Sequence, residues 1–283
     1  SSYIRRFGTP EEISAIGTPQ DPGGFVKGGG TVARAANQVY KDCFAPKNMT
    51  PREEKDFLPK AKDMMRYKSV WAGNRVTPTE AKTLTEKKGD TKDKMAAQWY
   101  QIYEGLKGNP QDWRPPCKSA NFERFLAKRR RMGRGRLADF DDQLAIFEKV
   151  LAREPVARAQ VQSELDHILV DEAQDLNLVQ SSVISMMSEH IVDSEGGEQT
   201  GKDGGPRYLW LVGDEKQAIY EFRGARPEQF VERHQQQNWK TRSIRTNYRC
   251  PPEVVELANR LIAHNEGQIP MEANPSPAKS RGQ

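Results

Sequence analysis

Two short runs constrain this chain more than any other feature. His167-Ile168-Leu169-Val170 leads into Asp171-Glu172, and Tyr208-Leu209-Trp210-Leu211-Val212 leads into Gly213-Asp214. Such lengths suit buried strands better than helices. Helical patterns follow them, over 179–187 after the first and 227–234 after the second. Residues 242–246 read as a third short strand, and 251–263 as a helix with proline at its start. Strands that alternate with helices predict a parallel α/β sheet over residues 137–250. Ligands of such sheets bind at the carboxyl ends of the strands. The residues just after each run are therefore the first candidates for chemistry.

The rest of the chain reads differently. Residues 1–30 are rich in Gly and Pro and predict loop. Residues 31–106 are mostly helical in pattern. Thr50-Pro51 followed by Glu53 and Glu54, and Thr77-Pro78 followed by Glu80, mark two helix starts. Trp99, Ile102, Tyr103 and Leu106 share one helical stripe and predict core. Residues 139–151 read as an amphipathic helix, and the polar, Gly-rich stretch 194–206 as a flexible loop. The Pro- and Ser-rich tail from Pro270 predicts disorder.

No run of eighteen apolar residues exists, which excludes a membrane-spanning helix. Ser1 to Gly8 lacks the apolar core of a secretory signal. Three cysteines, Cys43, Cys117 and Cys250, are too few and too scattered for a disulfide framework, and the four histidines share no ligand spacing. These features predict a cytoplasmic protein in a reducing setting, without a structural metal. The net charge of +5 is local: residues 107–136 hold ten Lys or Arg against two acids, whereas the remainder holds 34 against 37. In that segment Arg124, Lys128, Arg129, Arg130, Arg131, Arg134 and Arg136 are interleaved with Trp113, Phe122 and Phe125. Concentrated positive charge suits a phosphate backbone. A solvated basic face is the plain alternative, and a nuclear-localisation signal a weaker one.

At the first strand end, one carboxylate is placed to hold Mg²⁺ and a second to polarise a water for attack on a phosphoryl group. The plain alternative is an acidic turn, with Asp171 and Asp175 capping helices. After the second strand come Asp214-Glu215-Lys216-Gln217 and then Tyr220-Glu221-Phe222-Arg223-Gly224-Ala225. Gln217 is an uncharged amide suited to sensing a terminal phosphate. Tyr220, Phe222 and Arg223 offer stacking faces and a fixed positive fork. The alternative is a short amphipathic helix with Ile219 and Phe222 in the core. Arg249, after the third strand, is suited to stabilising charge that develops on phosphate, or else to a surface ion pair.

Together, residues 170–175, 212–225 and 247–250 resemble motifs II, III and IV of the UvrD/Rep/PcrA-like superfamily 1 DNA helicases, in order and at plausible separations. Asp139-Phe140-Asp141-Asp142 looks like the acidic stretch before motif II. The resemblance covers roughly residues 95–265 and is weak before them. It implies an α/β fold: a partial RecA-like P-loop NTPase domain with a parallel sheet, plus a mostly helical accessory region. Residues 1–136 would form that accessory region, 137–246 the remainder of the first RecA-like domain, and 247–283 a hinge and the start of a second. It implies ATP and Mg²⁺ as cofactors, with Asp171 as the Mg²⁺ carboxylate and Glu172 as the base. Gln217 would sense the γ-phosphate, Tyr248 would stack on adenine and Arg249 would act as an arginine finger. Gln174 and Asp175 would lie beside the nucleotide. Tyr220, Phe222 and Arg223 would face single-stranded DNA, and Lys128 to Arg131 would contact its phosphates.

The departures are equally specific. The phosphate-binding signature GxxxxGK[ST] is absent. Gly28-Gly29-Gly30-Thr31 has no Lys, and residues 196–203 end in Asp203, follow motif II and have no strand leading into them. Motifs V and VI and an initiator Met are absent too. The expectation is a middle slice of a helicase whose parent moves on single-stranded DNA, 3′ to 5′, and unwinds duplex DNA. Its alternatives are a non-catalytic nucleic-acid-binding module and the helicase part of a helicase–nuclease.

Overall fold

The computed structural model describes residues 2–10, 12–13, 30–108, 113–131, 137–188, 208–236, 239–266 and 268–276. The predicted loop at 194–206 and the near-signature at 196–203 lie outside them. The chain divides into two compact units. The first comprises residues 1–168, 177–210 and 222–224; the second, residues 169–176, 211–221 and 225–283.

The first unit is helical: α1 (Ser2–Phe7), α2 (Gly30–Phe44), α3 (Pro51–Phe57), α4 (Ala61–Gly73), α5 (Pro78–Lys88), α6 (Thr91–Lys107), α7 (Ala120–Arg131), α8 (Phe140–Arg153), α9 (Pro155–Ser163) and α10 (Leu178–Ser188). Their starts follow local chemistry. Thr77 and Glu80 bond each other's backbone in a reciprocal capping box at α5, as do Asp90 with Asp93 at α6 and Asp139 with Asp142 at α8. Thr50 and Glu53 do the same at α3. The predicted stripe on α6 is core: Trp99, Ile102, Tyr103 and Leu106 pack with Val32, Ala36 and Val39 of α2 and with Phe122 and Leu126 of α7. Helix α1 corrects the expectation that residues 1–30 are all loop. Tyr3, Ile4 and Phe7 share one face at helical spacing, and Ile4 is buried with Ile146, Val150 and Ala157.

A buried ionic cluster fastens the start of α8. The Lys68 ammonium donates to both Asp139 oxygens and to Asp141 Oδ2, each at 2.7 Å. Lys107 donates to Asp139 at 3.0 Å and Asp142 at 2.6 Å, and pairs with Glu104 at 2.8 Å. Tyr103 Oη donates to Asp139 Oδ2 at 3.0 Å. Burial pushes the Asp139 carboxyl up, but the Lys107 and Lys68 ammoniums outweigh it and hold the group well below the usual carboxylate range.

A disulfide joins Cys43, at the end of α2, to Cys117, just before α7. The cysteine count therefore did not exclude a disulfide, and the reading of a reducing setting loses that support. The partners are 74 residues apart in sequence, a separation that only the packing of α2 against α7 closes. Cys250 is a free thiol.

Strands β1 (His167–Val170) and β2 (Tyr208–Leu211) are neighbours in one sheet. Tyr208 N donates to Asp166 O and Val212 N to Val170 O. Both bonded positions advance by four residues in the same sense, so the strands run parallel. The third predicted strand departs from expectation. Residues 242–244 have no partner strand among the described residues; the strand is Thr246–Asn247 (β3), paired parallel with Asn274–Pro275 (β4). Asn274 N and Ser276 N donate to Arg245 O and Asn247 O. Only alternate N–H groups face a partner strand, so the missing donor of Pro275 costs nothing here. The tail expected to be disordered is thus ordered as far as Ser276, and residues 277–283 lie outside the described residues. The second unit also carries α11 (Pro227–Gln235) and α12 (Pro252–Ile262). No described helix is long and apolar enough to cross a membrane.

Candidate functional site

The second unit gathers the acidic residues that follow the strands. Asp171 and Glu172 are both exposed beyond β1. Glu172 has a φ of 51°, in the left-handed region. A non-glycine residue there is strained, and strain of this kind concentrates at functional sites. The turn is held by its neighbours: Glu172 N donates to Asp171 Oδ1, Asp175 N to Glu172 O, and Ala173 N to Val212 O beyond β2.

Gln174 is 1% exposed and joins the two strand ends. Its Nε2 donates to Glu172 Oε2 at 2.7 Å, and its Oε1 accepts from Asp214 N at 3.1 Å. Gly213 makes room for it: a Cβ there would lie 2.5 Å from Gln174 Oε1. Asp214 caps the next 3-10 turn (Glu215–Gln217), accepting from Lys216 N at 3.0 Å and from Gln217 Nε2 at 2.9 Å. A single hydrogen-bonded chain therefore runs Glu172–Gln174–Asp214–Gln217. It orients the Glu172 carboxylate and the exposed Gln217 amide. Three of these residues were candidates from sequence. Asp214 lies at a strand end within motif III but is not among the sequence's candidate site residues, although its spacing from Lys216 is the signal of an Asx turn.

Of the other candidates, Tyr220 is half-buried, Phe222 is 53% exposed and Arg223 is exposed. The Arg223 guanidinium lies 5.6 Å from the Phe222 ring centroid. Ile219 is 68% exposed, so the alternative that buried Ile219 and Phe222 in a helix is wrong. The motif forms two 3-10 turns instead. It ends at Gly224, whose φ of 89° only glycine adopts readily, and whose carbonyl accepts from Asn74 Nδ2. Tyr248 is 71% exposed, and Arg249 is exposed beside it. Asn247 Oδ1 accepts from Arg249 N and Cys250 N and fixes that turn.

The basic segment divides. Lys128 and Arg124 are exposed on α7. Arg129 is 4% exposed and donates to Leu106 O and Gly108 O, so it serves packing rather than the surface. Lys107 is fully buried in the ionic cluster. Phe122 is buried in the core and is no open stacking face, and Trp113 and Phe125 are partly buried against that core. The side chains of Arg130 and Arg131, and residues 132–136, lie outside the described residues.

No group of three metal-binding side chains converges among the described residues. The carboxylates of Asp171, Glu172 and Asp214 are hard oxygen donors. They fit Mg²⁺ as proteins usually hold it, through one or two carboxylates with substrate phosphates supplying the rest.

The comparisons with known proteins agree with these motifs. The model of the UvrD/REP helicase N-terminal domain matches residues 20–238, further towards the start than the motifs reach. The ATP-dependent DNA helicase Rep of Buchnera aphidicola is 32% identical over 130 residues, which cover 46% of this chain and 18% of that protein. DNA helicase II of Haemophilus influenzae is 27% identical over 180 residues, covering 64% and 20%. One subunit of the ATP-dependent helicase/nuclease of Geobacillus kaustophilus is 32% identical over 118 residues, covering 40% and 8%. The matched region is at most a fifth of each of these relatives. With three quarters of its length matched in one stretch, the chain belongs to the UvrD/REP helicase N-terminal domain family.

Proposed function

We propose that this chain is the motif-bearing part of an ATP-dependent DNA helicase that translocates on single-stranded DNA, 3′ to 5′, and unwinds duplex DNA. The observation that carries the reading is the Glu172–Gln174–Asp214–Gln217 chain. It links the exposed carboxylate of Glu172, a residue with left-handed backbone, to an exposed amide at the ends of two parallel strands, where α/β proteins bind ligands. The family and the names of its relatives supply DNA and ATP.

In this reading Asp171 holds Mg²⁺, which would offset charge on the phosphates when bound. Glu172 accepts the proton of the attacking water, with its carboxylate aimed by Gln174 Nε2. Gln217, fixed on Asp214, senses the terminal phosphate. Asp175 lies beside the nucleotide, Tyr248 stacks on adenine, and Arg249 offsets developing charge. Tyr220, Phe222 and Arg223 face single-stranded bases, and Lys128 contacts phosphate. Residues 1–136 serve as the accessory region, 137–246 as part of a RecA-like domain and 247–283 as a hinge and the start of the next. A second reading, the helicase part of a helicase–nuclease, is supported by the 32% identity to the Geobacillus helicase/nuclease.

The test is Glu172→Gln in the full-length protein. The amide keeps the shape but accepts no proton, so ATP binding should persist while DNA-stimulated hydrolysis falls by about 10²–10⁴-fold. Turnover within a few-fold of wild type would remove Glu172 from that role.

A further inference from the structure

Two motif residues that none of these roles uses make an unusual contact. Glu215 and Lys216 precede Gln217, and their side chains are only 8% and 11% exposed. They pair with each other at 3.0 Å. Both also reach the backbone of one distant residue. Glu215 Oε1 accepts from Ile269 N at 2.6 Å, and Lys216 Nζ donates to Ile269 O at 2.6 Å. Two opposite charges thus satisfy the donor and the acceptor of a single peptide residue. Burying a charge pair costs desolvation that a well-packed apolar pair avoids, so bulk stability alone does not explain the choice. What the charges add is a fixed register between the turn and residue 269.

That register extends further. Asn259 Nδ2 donates to Ala273 O at 2.8 Å, and Asn259 Oδ1 accepts from Ala273 N at 3.3 Å. Residues 274–275 form β4, which pairs with β3. Asn247 of β3 then fixes Arg249 N. On the other side, the 3-10 turn that carries Glu215 and Lys216 also carries Gln217, bonded to its cap Asp214. The Gln217 turn and the Tyr248–Arg249 turn are consequently linked through the segment 268–276, within one compact unit.

We infer that Glu215 and Lys216 are positioning residues: a charged clasp on Ile269 that transmits displacement of the Gln217 turn to β3 and the Tyr248–Arg249 turn that follows it. The inference rests on the ATPase reading above. The clasp sets where Arg249 stands when Gln217 responds.

The experiment uses the full-length protein with Lys216→Met, Lys216→Arg and Glu215→Gln, and with Glu172→Gln as a control for the site itself. Lys216→Met removes the donor to Ile269 O. It should lower DNA-stimulated kcat about tenfold and leave KM for ATP within about twofold, the pattern of an interaction that matters in the transition state. Lys216→Arg keeps a donor and should recover most of kcat. Glu215→Gln keeps an acceptor for Ile269 N but loses the ion pair, and should fall between them. In the 283-residue chain, Glu215→Ala should speed hydrogen exchange at the Ile269 amide. If Glu172→Gln abolishes turnover while Lys216→Met leaves kcat unchanged, the clasp is overturned and the site stands. A fall in kcat that tracks a loss of folded protein, with no recovery in Lys216→Arg, would also overturn it. If Glu172→Gln keeps wild-type turnover, the ATPase reading fails, and the coupling role fails with it whatever the exchange result.

Discussion

Glu172 and Gly224 show how single residues carry the local geometry. Both adopt positive φ, but only one is glycine. Gly224 sits where a Cβ would lie 2.9 Å from Asn74 Nδ2 and 3.2 Å from Val70 Cα. Gly224→Ala meets both the left-handed penalty of about 1–2 kcal/mol and this contact. It should destabilise the first unit by about 2 kcal/mol or more, read as a lower denaturant midpoint with an unchanged slope. A loss under about half a kcal/mol would mean that the turn relaxes freely. Glu172 tolerates its strain because its side chain and backbone are both engaged, by Gln174 Nε2 and Asp175 N. The identities of Asp171, Glu172 and Gln217 were legible in the sequence because they follow strands. The left-handed backbone at Glu172 was not, since glutamate carries no such signal. The bridging role of Gln174 was also hidden, because it depends on a residue forty positions away.

At the scale of elements, legibility follows sequence distance. The starts of α3 and α5 and the core stripe of α6 depend on residues within one or two turns, and these expectations hold. The β3–β4 pair, the Cys43–Cys117 bridge and the Lys68–Asp139 pair join residues 28, 74 and 71 positions apart. Composition misleads at the first two: a proline hides in a strand, and two lone cysteines meet. Asp139 gives the sharpest test. Its carboxyl is held below the usual range in the folded chain. Its stabilising share is therefore fully present above the ordinary aspartate pKa of about 4, and is lost as pH falls towards the folded value. Glu104 has the opposite sign, because burial raises its carboxyl more than Lys107 lowers it. Asp139→Asn leaves Lys68 and Lys107 short of a counter-charge, and should cost about 3–5 kcal/mol at pH 7. The penalty should shrink by pH 3, where the wild-type carboxylate begins to lose its advantage. Urea midpoints of both proteins at the two pH values check this. A pH-independent gap would place the loss in shape rather than charge.

For the whole molecule, the balance of charge around the site decides what the chain does alone. The 283 residues contain no GxxxxGK[ST] sequence. Phosphoryl transfer relies on positioning and neutralisation more than on the base. Around the strand ends stand the carboxylates of Asp171, Glu172 and Asp214, with neutral amides at Gln174 and Gln217. Lys216, the lysine nearest in sequence, is committed to Glu215 and Ile269. A triphosphate therefore meets net negative charge, and Mg²⁺ on Asp171, as proposed, would offset only part of it. Nucleotide binding by residues 1–283 should be millimolar or weaker, about −4 kcal/mol or less favourable, and no DNA-stimulated turnover should appear. Titration with a fluorescent ATP analogue and Mg²⁺, with and without single-stranded DNA, measures both. Micromolar binding would require a phosphate cradle elsewhere in these 283 residues. Turnover abolished by Glu172→Gln would place that cradle at this same pair of strands.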